Sequence, residues 1–145
     1  MKILILLLLT SFILCDDELN IKLDKYKKCI REQVGKPFAY KGEGPDAFSH
    51  QGLIRYCRKQ AGLASLSTLY IYWKRVKEPM EGDAVYGIIK DYGDAVDCEN
   101  LGIVYNGKTD PIMVISGSEG TNLRINRLKL SKDYVRIEYI RYDID

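Results

Sequence analysis

The chain has 145 residues, with 22 Lys and Arg against 20 Asp and Glu and a formal net charge of +2. That near balance, with basic and acidic residues interspersed, excludes a polyelectrolyte role on nucleic acid. No repeat or low-complexity segment breaks the chain, and the length suits one domain with a proper core.

Lys2 is followed by an apolar run from Ile3 to Leu9 and then by Thr10 to Cys15. A short basic start and an apolar stretch too short to span a bilayer describe a secretory signal peptide over residues 1–15. An uncleaved anchor is the alternative, and the shortness of the run speaks against it. Asp16, Asp17 and Glu18 open a single domain over 16–145, with 21 basic residues against 20 acidic. No later apolar stretch is long enough to span. The expectation is a protein that is secreted, extracellular or in the lumen of the secretory pathway, without membrane contact after cleavage, and monomeric.

Leu19, Leu23, Tyr26, Ile30 and Val34 fall at spacings of four, three, four and four, which predicts one apolar stripe on a helix. Gly35 stops it and Pro37 keeps it stopped. Residues 41–47 are turn material. Ser49 is a good N-cap for a second helix. Leu53, Ile54, Cys57 and Ala61 line its apolar face, and Gly62 ends it. Residues 64–77 are ambiguous: Tyr70, Tyr72 and Trp73 suit a short helix or an extended arm, in core packing or as a binding platform. From Met80 the period becomes two. Ala84 to Ile89 reads as a strand, 90–99 as an acidic loop, and Leu101 to Tyr105 as a second strand. Asn106-Gly107 is a hairpin signal with Ile112 to Ile115 as partner. Leu123 and Ile125 begin another strand. Val135 to Ile144 is the last, with a bulge expected between Tyr139 and Ile140. Helices first and strands after them predict an α+β fold with an antiparallel sheet.

Cys15 leaves with the leader, so Cys29, Cys57 and Cys98 remain, an odd number in an oxidising compartment. One pair and one free thiol are expected. Cys29 and Cys57 lie on or beside apolar helix faces and are the candidate disulfide, with buried thiols as the alternative. The chain holds one histidine and no Cys-x-x-Cys. Asp91, Asp94, Asp97 and Glu99 lack the alternate spacing of a calcium loop and read as a solvated acidic loop. No metal and no cofactor are expected.

The segment Gly35-Lys36-Pro37-Phe38-Ala39-Tyr40-Lys41-Gly42, followed without a gap by Phe48-Ser49-His50-Gln51-Gly52-Leu53, resembles the NlpC family of papain-like cell-wall cysteine peptidases. Those enzymes carry Gly-Lys-Pro-Tyr-x-Trp-Gly-Gly and then Phe-Asp-Cys-Ser-Gly-Leu opening a helix. The likeness continues in Glu81-Gly82-Asp83-Ala84-Val85-Tyr86, in Asn100 to Gly107, and in Met113 to Ser118 with Leu123-Arg124-Ile125. It covers nearly the whole mature chain and implies a papain-like fold, with N-terminal helices packed on an antiparallel sheet.

It also implies three vacancies. Papain-type hydrolysis needs a thiolate, an imidazole that moves the proton, and a group that orients the imidazole. The resemblance puts His50 at the nucleophile position, Asn100 at the base position and Ile115 at the orienting position. An amide has no accessible proton site near neutral pH, and an isoleucine orients nothing. The helix dipole disfavours imidazolium, so His50 is expected neutral. Its plainer reading is a helix-start residue with satisfied hydrogen bonds; the others are a ligand contact and an acid–base group. Tyr40, Lys41, Ser49 and Gln51 would border the relic cleft. Ser49 removes the anion that would hold a substrate amine, and Lys41 adds a cation nearby.

Three functions are therefore expected in turn. The first is a secreted pseudo-peptidase, not an enzyme, that binds a peptide, a peptidoglycan fragment or a protein. The second is an active cysteine peptidase or amidase with a rearranged Cys98/His50 dyad, since Cys98 and Asn100 would share one face of a strand. The third is an interaction or inhibitor protein that uses a surface outside the cleft.

Overall fold

The structure is a computed structural model that describes residues 2–66, 73–107 and 109–142, with side chains from residue 17 onward. Helices α1 (Lys2–Glu32) and α2 (His50–Ala61) come first. Six strands follow: β1 (Lys74–Val76), β2 (Ala84–Asp91), β3 (Val96–Asn106), β4 (Met113–Ser116), β5 (Arg124–Arg127) and β6 (Arg136–Arg141). They form one sheet in the order β1-β6-β2-β3-β4-β5, and every neighbouring pair is antiparallel. The expected α+β architecture is the one observed. Tyr70 and Tyr72 lie outside the described residues. No helix among the described residues is long and apolar enough to cross a membrane.

The predicted stripe on α1 does the packing. Tyr26 and Ile30 are buried, with Leu19, Leu23 and Val34 packed against the same core. The helix runs from Lys2 through residues 15 and 16 without a break. Helix α2 is bounded as expected. The Ser49 hydroxyl accepts the Gly52 N–H at 2.9 Å, which is an N-cap bond. Gly62 closes the helix in the left-handed region at φ 76°, a conformation that disfavours any residue with a Cβ. Leu53, Ile54, Cys57 and Ala61 face the core.

Cys29 and Cys57 are joined, with Cα atoms 5.5 Å apart, and this cystine ties α1 to α2. Cys98 is the free cysteine among the described residues.

The sheet is apolar on both faces. On the helix side, Ala84, Ile103 and Ile115 pair across β2, β3 and β4 and are fully buried. On the far side, Val85, Val104 and Val114 form a second cluster with Leu101, Ile112, Leu128, Ile137 and Tyr139. The turn before β2 is held by Asp83, whose buried carboxylate accepts the Met80 N–H at 2.7 Å and pairs with Arg141 at 2.9 Å.

Three sequence expectations change. Residues 90–99 are mostly ladder rather than loop: β2 runs to Asp91, β3 starts at Val96, and only 92–95 turn. The acids there are engaged across the hairpin. Asp91 pairs with Arg136 at 2.8 Å, Asp97 accepts the Tyr92 hydroxyl, and Glu99 accepts the Tyr134 hydroxyl at 2.6 Å. The expected bulge between Tyr139 and Ile140 is absent. Strand β6 pairs evenly with β2, and the irregularities fall in the β2–β3 ladder instead. The alternation slips because Ile140 faces one apolar side and Ile137 with Tyr139 the other. The ambiguous stretch before Met80 contributes a strand, β1, preceded by Trp73 packed on Tyr86 with ring centroids 4.8 Å apart.

The cystine closes a loop with a sequence separation of 28, which in the chain-entropy account is worth about 3.5 kcal/mol. Reduction, or replacement of Cys29 by Ser, should lower the urea midpoint accordingly without changing the far-UV spectrum of the folded state. An unchanged midpoint in reductant would refute this.

Candidate functional site

The N-terminus of α2 opens into a cleft of about 340 Å3. Its walls come from the 38–40 segment, the start of α2, the middle of β3 and the turn after β4. The loop before α2 is drawn tight against the helix. The Ser49 N–H and hydroxyl both donate to the Gly42 carbonyl, at 2.9 and 3.1 Å. Gly52 lies so close that a Cβ there would overlap the same carbonyl oxygen. The Gly-Leu pair after the cap is thus a steric requirement of the close loop.

His50 is the first residue of the helix and is buried. Its ring stands against Phe38 with centroids 4.9 Å apart. Its Nε2 accepts the Gly117 N–H at 3.1 Å, so the proton of the neutral ring sits on Nδ1. Burial pushes its pKa down to about 4, against the opposing pull of the Asn100 main chain and the Glu99 charge. The imidazole is therefore neutral near pH 7. Gly117 fits only as glycine here, because a Cβ would press into the Phe38 side chain.

Asn100 turns its amide away from proton transfer. Its Oδ1 accepts the Gly102 N–H at 3.1 Å and its Nδ2 donates to the Tyr86 hydroxyl at 3.4 Å. Gln51 donates to the same hydroxyl at 2.7 Å. With two donors upon it, Tyr86 gives its own proton to Tyr142, 3.1 Å away. Burial raises the pKa of both phenols, so the network stays uncharged.

Ser49, Gln51, His50, Asn100 and Tyr40 all line the cleft. Tyr40 is an exposed lip, 74% accessible, its ring edge-on to Phe38 and its N–H donated to Glu119. Lys41 is exposed and is not among the lining residues. Ile115 is fully buried in the helix-side core and also lies away from the cleft. Cys98 is half-buried, packs against the core and does not line the cleft. Burial raises its thiol pKa, helped by Glu138 and Asp97.

The cleft also holds Arg55, Gly117 and Ser118, which the residue patterns did not single out, and Glu99, which they assigned to a solvated acidic loop. Arg55 follows Gln51 by four residues, so helical spacing puts both on one side, and its guanidinium reaches the Gln51 carbonyl oxygen and pairs with Glu43. The other three arrive through sheet register, which carries no local signal.

No family model matches the chain, and no curated protein sequence matches it. Among solved structures it is similar to a Staphylococcus aureus crystal structure described as similar to lipoprotein, NLP/P60 family. The two share 14% identity at a TM-score of 0.51, over 88% of this chain and 43% of that one. The chain thus spans less than half the length of that protein. The likeness establishes an NlpC-like fold: two helices on an antiparallel sheet.

A histidine in an unfolded chain titrates near pH 6.5, whereas His50 in the fold is held at about 4. The folded state prefers the neutral ring. Its contribution is complete above pH 6.5 and is lost as pH falls from 6.5 to 4. The difference corresponds to about 3 kcal/mol. Between pH 7 and pH 4.5, the wild type should lose about 2.5 kcal/mol more unfolding free energy in urea than His50→Gln. Glutamine accepts the Gly117 N–H without titrating. Equal losses would show that His50 is not the titrating group.

Proposed function

We propose that the chain is a secreted NlpC-like pseudo-peptidase whose cleft binds a peptide, a peptidoglycan fragment or a protein and does not cut it. The observation that carries this reading is the state of His50. A buried neutral imidazole whose Nε2 is taken up by the Gly117 N–H is neither a nucleophile nor a free proton carrier. The Asn100 amide neither takes up nor releases a proton near neutral pH, and the Ile115 side chain has no polar atom. The cystine supports a secreted location, since such bonds persist in oxidising compartments.

A Cys98/His50 dyad is less well supported. A nucleophilic cysteine needs a lowered pKa and an accessible site, and Cys98 has a raised pKa and lies off the cleft.

Two experiments test the proposal together. The purified domain, incubated with peptidoglycan and with γ-D-glutamyl-diaminopimelate peptides, should release no product by mass spectrometry. Turnover that survives His50→Ala would end the pseudo-peptidase reading. Conversely, His50→Cys with Asn100→His should place a thiol at a helix start beside an imidazole. That thiol should alkylate with iodoacetamide at pH 7 roughly tenfold faster than Cys98, since helix dipole and imidazolium both favour thiolate. An introduced thiol no faster than Cys98 would show that positions 50 and 100 do not face each other.

A further inference from the structure

The far face of the sheet carries a second concavity, of about 390 Å3, beside β5. Leu101, Val114, Leu128, Leu130 and Tyr134 give it apolar walls, and Arg127 and Lys129 give it charge. No acidic residue among the described residues lines it. Leu130 stands 74% exposed at its margin. Strand β5 is the last in the sheet; its outer edge is paired with the 35–38 segment up to Leu123 and has no ladder partner at Ile125 and Arg127 among the described residues. All four of its residues are exposed. Arg124, opposite Ser116, shares its row with Asn126, which lines the concavity. Among the described residues, neither Arg124, Arg127 nor Lys129 makes an ion pair.

Charges on an edge strand keep copies of a chain from pairing edge to edge. That role needs no groove. Here an open backbone edge, unpaired cations and an apolar recess occupy one strip, and they complement one kind of ligand. We propose that this strip binds an extended acidic peptide that alternates carboxylates with aliphatic side chains. The peptide adds a strand to β5 through main-chain hydrogen bonds, as edge-strand ligands do. Its aliphatic groups enter the recess at Leu128 and Leu130, and its carboxylates, on the other face of the added strand, meet Arg127 and Lys129. The site is separate from the cleft at His50, so a ligand here leaves that cleft open.

The test is fluorescence anisotropy on the whole secreted chain with a labelled Glu-Val-Glu-Leu-Glu-Val-Glu peptide. Binding should weaken at least tenfold in Arg127→Glu/Lys129→Glu and in Leu130→Asp, each checked for fold by circular dichroism. It should weaken as much when both peptide valines become proline, which cannot pair as a strand, and for oligo-aspartate of the same length. Tyr40→Ala should leave it unchanged. The proposal is overturned if the probe fails to bind at millimolar concentration, or if the charge-reversed variant binds it as well as the wild type. Equal binding of oligo-aspartate, which would mean charge alone, also overturns it. So does loss on Tyr40→Ala, which would assign the peptide to the cleft.

Discussion

One buried imidazole holds three distant pieces of main chain in register. His50 opens α2, receives a hydrogen bond from Gly117 beyond β4, and sets its ring against Phe38. Leaving such a buried group unpaired costs on the order of 1–3 kcal/mol. The helix start, the 38–40 segment and the β4 turn thus meet at one point. The shape of the cleft follows from this clamp.

Beside the clamp lies an uncharged network. Gln51, Asn100, Tyr86 and Tyr142 satisfy one another by hydrogen bonds and carry no charge. A buried network that is fully paired is stable; a partly paired one is not. Trp73 lies over Tyr86 and seals the network on the side toward β1.

Helix boundaries were legible in the chain because they rest on local chemistry. Ser49 and Gly62 bound α2 through bonds made within a few residues of themselves. The strands between 84 and 116 were legible from alternation. What the residues could not disclose was a second apolar face. With Val85, Val104, Ile137 and Tyr139 packed on the far side, alternation blurs, so a regular β6 looked bulged. The acidic run at 91–99 looked like loop because its partners, Arg136 and Tyr134, lie about forty residues away. The cleft divided in the same manner. Ser49, His50 and Gln51 were visible as neighbours on one helix, whereas Glu99 and Ser118 join them only through strand register. Lys41 points elsewhere because the loop holding it folds back on Gly42 to meet the helix.

The position of the cystine sets an order of events during synthesis. Both of its sulfurs belong to the first 57 residues, and among the described residues no strand precedes residue 74. A chain made from its N-terminus therefore presents Cys29 and Cys57 to each other about forty residues before Cys98 exists. The two helices can be stapled while the sheet is still unmade. Timing then favours the Cys29–Cys57 pair over any pair with Cys98.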